Sequence, residues 1–155
     1  MDALRNSMSG CEKLFLCLHP QLDDLDYERR QAEKILKIAK EMDVKQVVTS
    51  TSLDVTPRED KGVEQAVVDG NYEYWTFLRP AFFMSNFLEP KVHRYPGLRD
   101  KGTWTTAMTA EGKLALIDHV DIAKFATAAF QEPEEFRGCA IGLASEFFTI
   151  PEILD

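Results

Sequence analysis

Short apolar runs alternate with amphipathic stretches along this chain, and their order predicts an α/β fold. Residues 3–8 read as a helix end, with Gly10 able to stop it at positive φ. Residues 13–18 (KLFLCL) are almost wholly apolar, as in a parallel strand covered on both faces, and His19-Pro20 ends the run. Residues 24–42 place Ala32, Ile35, Leu36, Ala39 and Met42 on one helical face, and Asp43 marks the stop. Gln46–Ser50 (QVVTS) reads as a second strand, followed by turn formers over residues 51–59. Residues 61–68 read as a short helix with Val63, Ala66 and Val67 inward. Residues 74–78 (YWTFL) are β-branched and aromatic, hence a third strand, ended by Pro80. The pattern over residues 81–112 is irregular. Residues 113–117 are strand or extended run, residues 118–130 a helix, Cys139–Leu143 a fourth strand, and Thr149 opens a last helix.

Strands alternating with helices over short links imply βαβ crossovers and a mainly parallel sheet with flanking helices, in one domain spanning residues 1–155. The chain begins inside a helix and stops soon after another opens. Both ends therefore read as cut, and the fold class is a partial Rossmann-like unit.

Charge narrows the partners. The net charge of −8 and the lack of a basic run argue against nucleic acid. No stretch reaches the ~20 apolar residues of a membrane span, and residues 1–10 lack a signal peptide's apolar core, so the reading is cytoplasmic. Cys11, Cys17 and Cys139 form no C-x-x-C pair and read as reduced thiols in a core, with no metal site. None of the eight glycines is spaced from another as G-x-G or G-x-x-G, so no dinucleotide phosphate loop can be built from them.

Candidate chemistry gathers at predicted strand ends, where open α/β sheets bind ligands. Ser50, Thr51 and Ser52 end the second strand; a hydroxyl there can donate to a substrate oxygen or merely satisfy a turn. His19 ends the first. His93 falls in the irregular middle with no assigned partner. Asp118 and Asp121 read as a helix N-cap and its N3 residue rather than as acid–base groups, and Thr149 with Glu152 as a capping box.

Five segments, in order, carry a resemblance. They are G-C-E-K-L-F-L from Gly10, V-K-Q-V-V-T-S-T-S from Val44, K-G-V-E from Lys61, L-R-P-A-F-F-M-S-N from Leu78 and I-D-H-V-D-I-A from Ile117. Together they make the chain resemble the NmrA-like family, a branch of atypical short-chain dehydrogenases that includes isoflavone-reductase-like enzymes. That resemblance implies hydride transfer between NADP(H) or NAD(H) and a small organic carbonyl or alkene, often in secondary metabolism. It places Lys61 near the nicotinamide ribose and substrate, with Ser50 or Ser52 as catalytic hydroxyls. It assigns Leu18, His19, Pro20, Lys61, Pro80, Phe82 and Phe83 to the cofactor and Asn86 to the substrate entrance. The tyrosine of the usual Y-x-x-x-K pair is replaced by Pro57. Some family members instead sense dinucleotide and act through protein contacts without turnover. The resemblance also sets residues 13–18 beside a first strand that has no counterpart here, an open edge inviting self-association.

Overall fold

The computed structural model of the protein describes residues 2–19, 24, 26–53, 62–106 and 108–154. The first half runs α1 (Asp2–Met8), β1 (Lys13–Cys17), α2 (Tyr27–Glu41), β2 (Gln46–Ser50), α3 (Gly62–Asp69) and β3 (Tyr74–Pro80). Then come β4 (Phe82–Phe83), 3-10 turns at Met84–Phe87 and Lys91–Arg94, α4 (Leu98–Lys101), β5 (Lys113–Ile117), α5 (His119–Gln131), α6 (Pro133–Phe136), β6 (Cys139–Leu143), β7 (Glu146–Thr149) and α7 (Ile150–Leu154).

β1, β2, β3 and β6 form a parallel sheet in that order. Every residue of β2 is buried, because helices cover both of its faces. Side-chain alternation then makes two cores. On one face Leu16, Val47 and Phe77 meet Ala32, Leu36 and Ala39 of α2 and Val67 of α3. On the other, Val48, Leu78 and Leu143 meet Ile122, Ala126 and Ala129 of α5. The apolar stripe read from residues 24–42 is the buried face of α2, widened by Ile38.

A second sheet, β4-β5-β7, takes form where the sequence pattern is weak. β4 pairs parallel to β5 over only two residues, and β7 pairs antiparallel to it with Phe147 and Phe148 exposed, so neither strand carries a burial pattern. Stops and caps follow local chemistry. Gly10 and Asp43 take φ of 75° and 66°. Asp118 accepts from the Val120 N–H at 2.7 Å. Thr149 N–H donates to Glu152 Oε2 at 2.7 Å and Glu152 N–H to Thr149 Oγ1 at 3.4 Å, closing the capping box. The cysteine expectation is corrected: Cys11 and Cys17 are exposed and Cys139 half-buried, because Cys11 lies on a turn and Cys17 on the edge strand.

β1 is an outer strand of its sheet. α5 packs on β2 and β3, leaving Phe15 at 45% exposure beside an edge that no other described strand pairs. We propose that the isolated chain self-associates through it, since five residues without proline or bulge offer a regular row of backbone donors and acceptors. Size-exclusion chromatography should show concentration-dependent dimers or larger species, reduced by Phe15→Glu. A monomer at every concentration, with the β1 amides nonetheless protected from exchange, refutes this.

Tyr72 ties the first core together by donating its hydroxyl to Leu36 O at 2.5 Å, and burial pushes its phenol from 10.0 up to about 12. The raised folded-state value means that this contribution is complete below about pH 10 and disappears as the pH climbs toward about 12. Denaturant titrations should show that alkaline loss, with a shallower slope in Tyr72→Phe, which also costs about 1 kcal/mol at neutral pH.

Candidate functional site

Parallel strands bring their carboxyl ends to one edge of the sheet, and the candidate residues lie along it. β1 ends there in Cys17, followed by Leu18, half-buried against the first core, and His19, exposed. At β2 the pairing does not stop with the strand: Thr51 N–H donates to Leu78 O and Leu53 N–H to Pro80 O, both at 2.9 Å. Residues 51–53 thus ride along β3 as backbone, which fixes where their hydroxyls stand. Gly142 of β6 makes room for this track; a Cβ on it would lie 3.1 Å from Leu53 Cδ1.

The two catalytic serine candidates occupy different environments. Ser50 is buried, in register with Cys17 and Leu78 on the α5 side of the sheet. Ser52 is exposed. Between them Thr51 turns its hydroxyl to Glu64 Oε1 at 3.1 Å. Lys61 and Pro20 lie outside the described residues. Pro80 is buried at the end of β3, Phe83 packs on the second core, and Phe82 and Asn86 are half-buried beyond it.

Glu64 and Arg79 form an ion pair that the sequence reading missed. Arg79 Nε donates to Glu64 Oε1 at 2.8 Å and a second guanidinium nitrogen to Oε2 at 2.6 Å, a bidentate contact at a carboxylate only 7% exposed. The pair joins the first turn of α3 to the last residues of β3. Its signal was present in K-G-V-E and L-R-P, two quoted segments whose charges were not matched. His93 does have a neighbour, Glu89 Oε2 at 2.8 Å. Among the described residues no three His, Cys, Asp or Glu converge as a metal site, and no helix is long and apolar enough to cross a membrane.

This edge fits the nicotinamide and ribose end of a dinucleotide: hydroxyls on a backbone-fixed track, then the apolar Pro80 and half-buried rings of Phe82 and Phe83. It offers no glycine-lined cradle for a pyrophosphate.

The architecture is that of a Rossmann-like α/β protein with a mainly parallel sheet. The NmrA-like family profile matches residues 1–155, and the chain belongs to that family. NAD(P)H azoreductase of Xenophilus azovorans is 31% identical over 133 residues, which make up 82% of this chain and 43% of that protein. The Citrobacter sp. triphenylmethane reductase complexed with NADP(H) superposes with a TM-score of 0.74 at 21% identity, covering 98% of this chain and 53% of that one. NmrA, a negative transcriptional regulator, superposes at 0.72 with 19% identity, covering 97% and 51%. The chain spans 32–43% of the length of the curated relatives it matches.

Breaking the Glu64–Arg79 pair from one side leaves a carboxylate buried with less compensation. Arg79→Met should lower unfolding free energy by roughly 2–4 kcal/mol in urea titrations. A loss under about 0.5 kcal/mol, the scale of a solvated surface pair, contradicts the locking role.

Proposed function

We propose that this chain is an NAD(P)-dependent oxidoreductase that reduces a small organic carbonyl or alkene. The observation that carries the reading is the carboxyl edge: the hydroxyl-bearing Thr51 and Ser52, on a track held to β3 by backbone pairing, beside Pro80 and the Phe82–Phe83 strand. Membership of the NmrA-like family and the likeness to an NAD(P)H azoreductase support it.

The nicotinamide, when bound, supplies a hydride; the chain binds, orients and supplies a proton. Lys61 holds a ribose hydroxyl, and its positive charge lowers the pKa of a nearby proton donor. Ser52, or Ser50 once reached from the α5 side, provides the donor hydroxyl. Pro80, Phe82 and Phe83 wall the nicotinamide, Leu18, His19 and Pro20 flank the adenosine side, and Asn86 stands at the substrate entrance. The choice between NAD and NADP lies with groups on the adenosine side.

A second reading has a specific basis. Pro57 occupies the position of the usual catalytic tyrosine, and the NmrA regulator shares the fold. On that reading the chain senses NAD(P) and acts through protein contacts without turnover.

Titration with NADPH, followed by emission of Trp75 and Trp104, separates the two. Binding is expected to be weak, because no glycine loop in these residues directs backbone N–H groups at the pyrophosphate. NADPH oxidation with an added carbonyl or azo acceptor, reduced roughly 10²-fold in kcat/KM by Lys61→Ala, supports the enzyme. Binding without oxidation of any acceptor favours the sensor, and no binding removes both.

A further inference from the structure

Four aromatic rings gather just beyond β3. Phe82 has its ring centroid 5.5 Å from Phe87, 5.9 Å from Tyr95 and 6.1 Å from Trp104. Trp104 in turn lies 5.7 Å from Phe87 and 5.6 Å from Tyr95, with interplanar angles of 83° and 74°. These are favourable edge-to-face geometries, so the rings hold one another in place. Yet none of the four is buried, and none packs into either hydrophobic core. They form a third, open cluster, built from irregular backbone and rooted two residues past the carboxyl end of β3.

Space adjoins the cluster. An open cavity of about 410 Å³ is walled by Phe87, Leu88, Val92, Leu98, Ile153 and Leu154, with the ion-paired Glu89 and Arg99 also lining it. Phe87 belongs to both the cavity and the ring cluster. The volume is within the range that small organic ligands occupy, and the wall is apolar and polar in about equal measure. A ring cluster kept rigid by its own contacts, half open and beside a cavity, suits a flat π-surface better than a flexible aliphatic one.

We propose that Phe82, Phe87, Tyr95 and Trp104 form the platform on which a planar aromatic substrate stacks, its remainder lying in the cavity beyond Phe87. The proposal rests on the reductase reading for the word substrate, but the platform is tested by binding alone. The test uses the full chain carrying Trp75→Phe, so that Trp104 is its one tryptophan. The probe is 9,10-anthraquinone-2-sulfonate, which has no alkene to react with the exposed Cys11 and Cys17; the control is cyclohexanesulfonate, of equal charge and no π-system.

Anthraquinone sulfonate should quench Trp104 saturably while the saturated sulfonate does not. Tyr95→Leu should weaken binding roughly tenfold, and Tyr95→Phe should restore it to within about twofold, which separates loss of the ring from loss of fold. Unchanged Trp104 emission, equal binding of the two sulfonates, or an unaffected Tyr95→Leu variant overturns the platform. Anthraquinone binding in a chain that never binds NADPH leaves the platform standing and removes the reductase reading. NADPH turnover of aliphatic and aromatic acceptors alike, with no ring-dependent binding, does the reverse.

Discussion

β2 is the constraint on which the carboxyl edge depends. Its five residues are buried on both faces, between the α2–α3 layer and α5. A strand so enclosed has its register set twice, once by the ladder to β1 and β3 and once by side chains that must reach the correct core; a slip of one residue would exchange Val47 with Val48 across the sheet. Because pairing to β3 continues through Thr51 and Leu53, that register passes directly into the loop bearing the candidate hydroxyls. Their backbone positions are thus a consequence of core packing, to which the Thr51 hydroxyl adds its own bond to Glu64.

The Glu64–Arg79 pair adds a second fixed point at the same edge. Placing charge where Glu64 is nearly enclosed costs desolvation, and hydrophobic substitutes of similar shape are often as stable. Stability is therefore a poor reason for it. Geometry is a better one: two parallel N–H···O bonds orient as well as attract, and the Thr51 hydroxyl joins the same carboxylate. One carboxylate thereby relates the start of α3, the end of β3 and the loop after β2. Three elements remote in sequence are brought to one orientation just where α3 begins.

Much of this frame was legible in the chain. Gln46–Ser50, Lys113–Ile117 and Cys139–Leu143 stand as strands at the bounds their apolar runs suggest, and Asp118, Thr149 and Glu152 cap as their spacing implies. Those features are local: periodicity and caps are decided by residues within one turn or strand. What escaped was set by distance or by burial that breaks the pattern. Glu64 and Arg79 are 15 residues apart on different elements. β7 exposes Phe147 and Phe148, so its apolar residues do not mark a buried strand. The ring cluster draws on residues from 82 to 104 in a stretch with no period at all, and only tertiary structure brings those rings together. The cysteines were misjudged because Cys17 belongs to an apolar run whose outer side is not covered.

The groups on the carboxyl edge are unevenly spread: the hydroxyl track and the aromatic rings lie at β2 and β3, while β1 contributes Leu18 and the exposed His19. A further parallel strand added beside β1 would satisfy the unpaired edge, and parallel pairing would bring the loop after that strand to the same carboxyl side, next to His19. A segment that pairs with β1 would cover Phe15 as well, since that ring stands on the same outer strand.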